Sequence, residues 1–163
     1  MTGTVDIEKS NVTVGFVPEE VQPNLPTRSA RLKWVIVVDE QLEIGRMVNA
    51  AACVAASVGQ AVPGLLGPTG PDGSNVVHAG LPWIGCTVLK ADSGTIHDLQ
   101  RKLAGQEGFF IADMPLPAQE SRIYQDYLAE VARTSADDLT LLAVSIVGPR
   151  NRVDKLVRKL PLL

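Results

Sequence analysis

Two carboxylates, one amide and one arginine are the side chains best placed to do chemistry in this sequence. Asp39 follows Leu32 to Val38 (LKWVIVV), a nearly continuous apolar run that reads as a central strand covered on both faces. Asp113 follows a shorter run, Phe109 to Ala112. In layered α/β sheets ligands gather beyond the carboxyl ends of strands, so both acids stand where a site would form. Asp113 is the candidate general base, or the group that orients a water nucleophile, provided burial or a neighbour tunes its pKa; its alternative role is to cap the loop that contains Pro115 and Pro117. Arg46 and Asn49 open the helix after the first strand and are the candidate ligand contacts together with Asp39. Asn49 is an amide in an otherwise apolar stretch, and left without a hydrogen-bond partner it would cost about 1–3 kcal/mol. That partner is either a neighbouring loop or a ligand.

Other chemistry-bearing residues give weaker patterns. His78 lies in a Gly-rich loop and His97 in a helix, and neither has a companion at metal-ligand or triad spacing, so both read as surface histidines. The loop GPTGPDGSN (Gly67 to Asn75) lacks the lysine and spacing of a phosphate-binding loop, and one Pro-Asp-Gly is not a calcium loop. No metal site and no cofactor is expected. Arg150, Arg152, Lys155, Arg158 and Lys159 cluster at the end of the chain, where they either meet phosphate or form a solvated helix face.

The elements that must position these groups follow from periodicity. Arg46 to Val58 (RMVNAAACVAASV) is an Ala-rich helix that is apolar nearly all round, so it is either sandwiched in the monomer or packed on a second subunit. Trp83 to Ala91 reads as a second strand, Asp92 or Ser93 caps a helix over 95–104, and Phe109 to Ala112 is a third strand. Gln119 to Arg133 reads as one amphipathic helix with Ile123, Tyr124, Tyr127, Leu128 and Val131 on one face. Leu139 to Val147 is a buried strand, Gly148-Pro149 a tight turn, and Val153, Leu156, Val157 and Leu160 the apolar stripe of a short basic helix. Residues 1–31, punctuated by Pro18, Pro23 and Pro26, read as an extended arm with one edge strand at Val12 to Val17.

This alternation implies an α/β fold: a single three-layer domain over residues 32–163, with a four-stranded mixed sheet flanked by helices. A chain of 163 residues with 45% apolar content suits one domain. The formal charge of -3 argues against a dedicated nucleic-acid binder. The two cysteines, Cys53 and Cys86, fit small buried side chains in a reducing compartment. No signal segment and no apolar run near the roughly 20 residues of a membrane span is present, so a cytoplasmic location without membrane association is expected.

Four segments together resemble the type 2 peptidyl-tRNA hydrolase superfamily: VIVVDEQLEIG (Val35 to Gly45), the Asn-Ala-Ala-rich helix after it, CTVLKAD (Cys86 to Asp92), and LTLLAVSIVGPRNRVDKLVRKLPLL (Leu139 to Leu163). More closely, they are similar to an uncharacterised bacterial family grouped with those enzymes as a domain of unknown function. The resemblance covers Leu32 to Leu163 and implies a peptidyl-tRNA hydrolase II-like fold, often dimeric. The hydrolases place a lysine in the turn after the first strand, a glutamine and a histidine on the next helix, and an aspartate with a threonine in a later Asp-Ala-Gly-Arg-Thr segment. Here the turn reads Glu43-Ile44-Gly45-Arg46-Met47, Ala51 and Val54 stand at the glutamine and histidine positions, and Asp113 matches the aspartate with no threonine after it.

The resemblance with these losses implies a homodimer that has lost tRNA hydrolysis and uses the cleft around Asn49, Arg46 and Asp113 for a small molecule or peptide. The rival is a true peptidyl-tRNA hydrolase or related amide or ester hydrolase, with Asp113 positioning water and Arg46 stabilising the oxyanion or holding phosphate. A third reading is a non-enzymatic interaction module whose arm adds a strand to a neighbour.

Overall fold

A computed structural model of the chain describes residues 14–163. In chain order it comprises β1 (Leu32–Asp39), α1 (Ile44–Ala61), a small hairpin of β2 (Gly70–Pro71) and β3 (Val77–His78), β4 (Thr87–Ala91), α2 (Ser93–Leu103), β5 (Phe110–Pro115), α3 (Leu116–Glu120), α4 (Tyr124–Arg133), β6 (Leu141–Pro149) and α5 (Arg150–Val157). The main sheet has the order β4-β1-β6-β5. β1 runs parallel to β4 and antiparallel to β6, and β6 is antiparallel to β5, so the expected four-stranded mixed sheet is present.

The two apolar runs occupy the middle of this sheet because they alone tolerate burial on both faces. Along β1, Trp34, Ile36 and Val38 pack toward α1, while Val35 and Val37 pack toward α2 and α5. The first side is anchored by Ala50, Val54 and Val58 of α1, the second by Ile96, Leu99 and Leu103 of α2 with Val153 and Val157 of α5. One polar pair lies inside: the Trp34 indole donates to the Ser145 hydroxyl at 2.8 Å, and both residues are buried.

Several local expectations need correction. The part of the expected edge strand that is described, Val14 to Val17, forms no strand; Val12 lies outside the described residues. The outer edge of β4 is already bridged by the C-terminus, where the Lys90 amide donates to Pro161 and the Leu163 amide to Val88. The segment instead inserts Phe16 beside Trp83, at 4.9 Å between ring centroids, and its amide donates to the Pro63 carbonyl. Two short 3-10 turns, Pro18–Glu20 and Thr27–Ser29, carry it to β1. The Arg150 guanidinium holds the end by donating to the carbonyls of Ala30, Thr27 and Leu32.

The second strand begins only at Thr87, because Trp83 turns away to donate its indole N–H to the Gly64 carbonyl and Gly85 adopts a left-handed φ of 71°. Gly148 and Pro149 make no turn: they extend β6 opposite Lys33 and Leu32, and α5 starts at once and ends before Leu160. The expected single helix over Gln119 to Arg133 is two, α3 and α4, separated by extended backbone at Ser121 and Ile123. Its apolar face is not a core face, since Ile123, Tyr124 and Leu128 are exposed. Both cysteines are exposed rather than buried. Cys53 falls on α1 beyond the stripe of Ala50, Val54 and Val58 that meets the sheet, and an Ala-rich helix gives no sign of which side that stripe takes.

Candidate functional site

The carboxyl ends of β1, β4 and β5 lie at one end of the sheet, with α1, α2 and α3 following them. Asp113 sits within β5 rather than after it, opposite Val144. Phe110, Ala112 and Met114 face α1, so strand alternation turns Asp113 to the α2 side along with Ile111. There Gln100 of α2 donates its Nε2 to Asp113 Oδ2 at 3.2 Å. Burial pushes the Asp113 carboxyl above its ordinary pKa, and the Gln100 hydrogen bond offsets this only in part. Tyr127 of α4 lies close enough to feel that carboxylate: its phenol is pushed up by burial first, then by Tyr124 and by Asp113. The result is a half-buried acid on an edge strand with one amide donor beside it and a phenol within electrostatic reach. Such a group accepts hydrogen bonds when ionised and donates one when protonated.

Arg46 and Asn49 lie on the other side of the sheet and are joined there. Gln119 of α3 accepts from Arg46 Nε at 2.8 Å and donates its Nε2 to the Arg46 carbonyl at 2.9 Å and to Asn49 Oδ1 at 3.0 Å. Asn49 is therefore exposed on the rim of α1, and its partner is a protein amide. Asp39, at the tip of β1, is buried and accepts the Gln41 amide at 2.9 Å, which shapes the turn into α1. Thus Arg46 and Asn49 form one cluster, Asp113 belongs to another on the opposite face, and Asp39 serves the turn between β1 and α1. Val54 of α1 is core.

Three neighbours of the candidate residues were not read as site residues from the sequence: Gln119, Gln100 and Tyr127. Gln100 had a signal, since it stands four residues after Ile96 and three before Leu103 on the core-facing side of α2. Gln119 had none, lying 70 residues from Asn49. His78 approaches Asp72 at 3.4 Å and His97 Nε2 lies 2.6 Å from the Ala136 carbonyl. Among the described residues no group of three His, Cys, Asp or Glu side chains could hold a metal ion, and no helix is long and apolar enough to cross a membrane.

A protein of unknown function from Agrobacterium tumefaciens strain C58, Atu0240, has a similar solved structure with a TM-score of 0.73 and 15% identity, covering 82% of this chain and 98% of that one. At that identity the likeness concerns the fold alone. No curated protein matches the chain. The family described as "Protein of unknown function (DUF2000)" matches residues 32–163, from the first residue of β1 through the C-terminal tail that bridges β4. With the whole main sheet and α1 to α5 inside that match, the chain belongs to the DUF2000 family.

Proposed function

We propose that this protein is a relative of the peptidyl-tRNA hydrolase II-like fold that does not cleave peptidyl-tRNA, and that it binds a peptide or small molecule through Asp113. The observation that carries this reading is the state of that carboxyl: desolvated enough to raise its pKa, yet given one amide donor at 3.2 Å. A ligand amine or N–H group supplies what the site lacks, and the pairing gains strength from the same desolvation. Hydrolysis of tRNA is disfavoured because the hydrolase positions carry Ala51 and Val54, and because Arg46 is already engaged by Gln119. In this reading Arg46, Asn49 and Asp39 position the chain around the ends of β1 and β5, and the ligand touches Asp113, Gln100 and Tyr127.

The test is a titration of the ¹⁵N-labelled protein with an unblocked tripeptide and with its N-acetylated counterpart. The unblocked peptide is expected to shift the amides of Ala112, Asp113 and Gln100, with affinity reduced about tenfold or more in Asp113→Ala. Equal response to the acetylated peptide, or an unchanged affinity in the variant, overturns the binding half. Cleavage of N-blocked aminoacyl-tRNA that Asp113→Ala abolishes overturns the other half.

A homodimer is the assembly this reading includes. Gly45, Val48, Ala52, Ala56 and Gly59 share the outward face of α1, all exposed, and Val48 is 60% exposed. Small side chains let two helices approach closely, and leaving Val48 and Ile44 in water is otherwise unfavourable. Light scattering should give a dimer mass that Val48→Lys halves; a monomer mass for the unsubstituted chain removes the dimer.

A further inference from the structure

We infer that the groove between α2 and α5 is a binding site for a small organic phosphate, a phosphate ester with an apolar body. The groove encloses about 540 Å³, the size of a small-molecule site. Lys102, Arg152, Lys155 and Arg158 line it against a single carboxylate, Asp98, although the chain as a whole carries a net charge of -3. Positive charge is thus concentrated at one concavity of an acidic protein.

Of the neighbouring acids, Asp98 and Glu107 leave an excess of positive charge, and two others are engaged elsewhere. Asp154 of α5 pairs with Lys33 of β1, and Asp137 pairs with Arg101 of α2. Lys102, Lys155 and Arg158 make no side-chain hydrogen bond or ion pair among the described residues. Four like charges kept around one hollow repel one another, and an anion relieves that repulsion.

Arg152 is held differently. Its guanidinium lies 4.3 Å from the Phe109 ring centroid, donates from Nη2 to Gln106 Oε1 at 2.9 Å, and donates from Nη1 to the Glu107 carbonyl at 3.3 Å. Gln106 is in turn fixed by donating its Nε2 to the Lys102 carbonyl at 2.6 Å. A guanidinium fixed along one edge keeps its remaining N–H donors oriented, so less side-chain entropy is lost when it meets a phosphate. The floor is apolar: Phe109, Leu99 and Leu156 offer an area against which an aromatic or aliphatic body can lie. Bare phosphate uses only half of such a site, and an ester of a flat alcohol uses both halves.

The full chain, ¹⁵N-labelled, is titrated with phenyl phosphate, inorganic phosphate and phenol. Phenyl phosphate is expected to give saturable shifts at 95–106 and 152–158, inorganic phosphate the same shifts with about tenfold weaker affinity, and phenol no saturable shift. Lys155→Glu with Arg158→Glu, both exposed, should weaken phenyl phosphate by about tenfold or more and leave the spectrum of the sheet intact. Arg122→Glu, between α3 and α4, should change nothing. No saturable shift with phenyl phosphate, or equal affinity in the doubly reversed variant, overturns the site. Displacement of phenyl phosphate by a short RNA with a salt slope of about two or more would assign the groove to RNA instead.

Discussion

On one face of the sheet a single 18-residue helix, α1, lies across β1, β6 and β5 and is joined by Phe16 and Trp83; on the other, α2 and α5 share the cover and leave a groove between them. The one-helix face covers a continuous apolar core, with a hollow at its margin beside Phe16, Arg31 and Trp83. Its one internal polar pair, Trp34 with Ser145, is satisfied without solvent. The two-helix face has seams, and ionisable groups reach the interior only along seams, because a charge far from water and without a partner costs too much. Asp113 stands in the seam between α2 and β5, and the unpaired cations stand in the seam between α2 and α5. In the proposed reading this contrast gives the α1 face the larger share of stability and the other face the ligand chemistry.

That division breaks first at Phe16. If the segment from Val14 to Ala30 is part of the α1-side core, Phe16→Ala should cost about 3–5 kcal/mol, seen as a lower urea midpoint with little change in slope. A loss near zero would make the segment a detachable arm and leave the α1 face open. Trp34→Phe sharpens the comparison at a smaller scale. It removes the donor and strands the buried Ser145 hydroxyl, for about 1–3 kcal/mol. Adding Ser145→Ala should recover part of that loss, and strictly additive losses would mean that the indole hydrogen bond contributes nothing.

The fold was legible where one residue pattern had one meaning. Leu32 to Val38 and Leu139 to Val147 are too apolar to lie anywhere but the middle of a sheet, and the cap could be narrowed to Asp92 or Ser93 because a side-chain acceptor just before Thr95 has few other uses; Asp92 is the one that caps. The helix over Gln119 to Arg133 was misread because amphipathic spacing reports a face, not its partner, and α4 leaves that face in water. At the site, Arg46 and Asn49 were legible as neighbours since residues three apart share a helix side. Their bridge through Gln119 was not, because it crosses 70 residues of chain. Asp113 was identified but set in the wrong company. Ending the strand at Ala112 made it a loop residue free to point anywhere, whereas a strand that continues to Pro115 fixes its side by alternation, away from Asn49.

The smallest effect is the one that tests the α2 face directly. Burial raises the folded-state pKa of Asp113, so the folded protein holds that proton more tightly than the unfolded chain does. The stability this confers is complete below the ordinary aspartate pKa, about 4, and is lost as pH rises through the raised folded value. Asp113→Asn cannot ionise and keeps an acceptor for Gln100, so it escapes that loss. Its melting temperature relative to the unsubstituted protein should therefore climb as pH rises above about 4 and level off once Asp113 is ionised in the folded protein. A difference that falls over the same interval would mean that the carboxylate is stabilised in the fold, and Asp113 would then be a structural acid with no reason to seek a ligand. An unblocked tripeptide bound at Asp113 should flatten the climb, since an ammonium beside the carboxylate favours its ionised form. The same substitution thus separates a carboxyl held in reserve on the seamed face from one already satisfied.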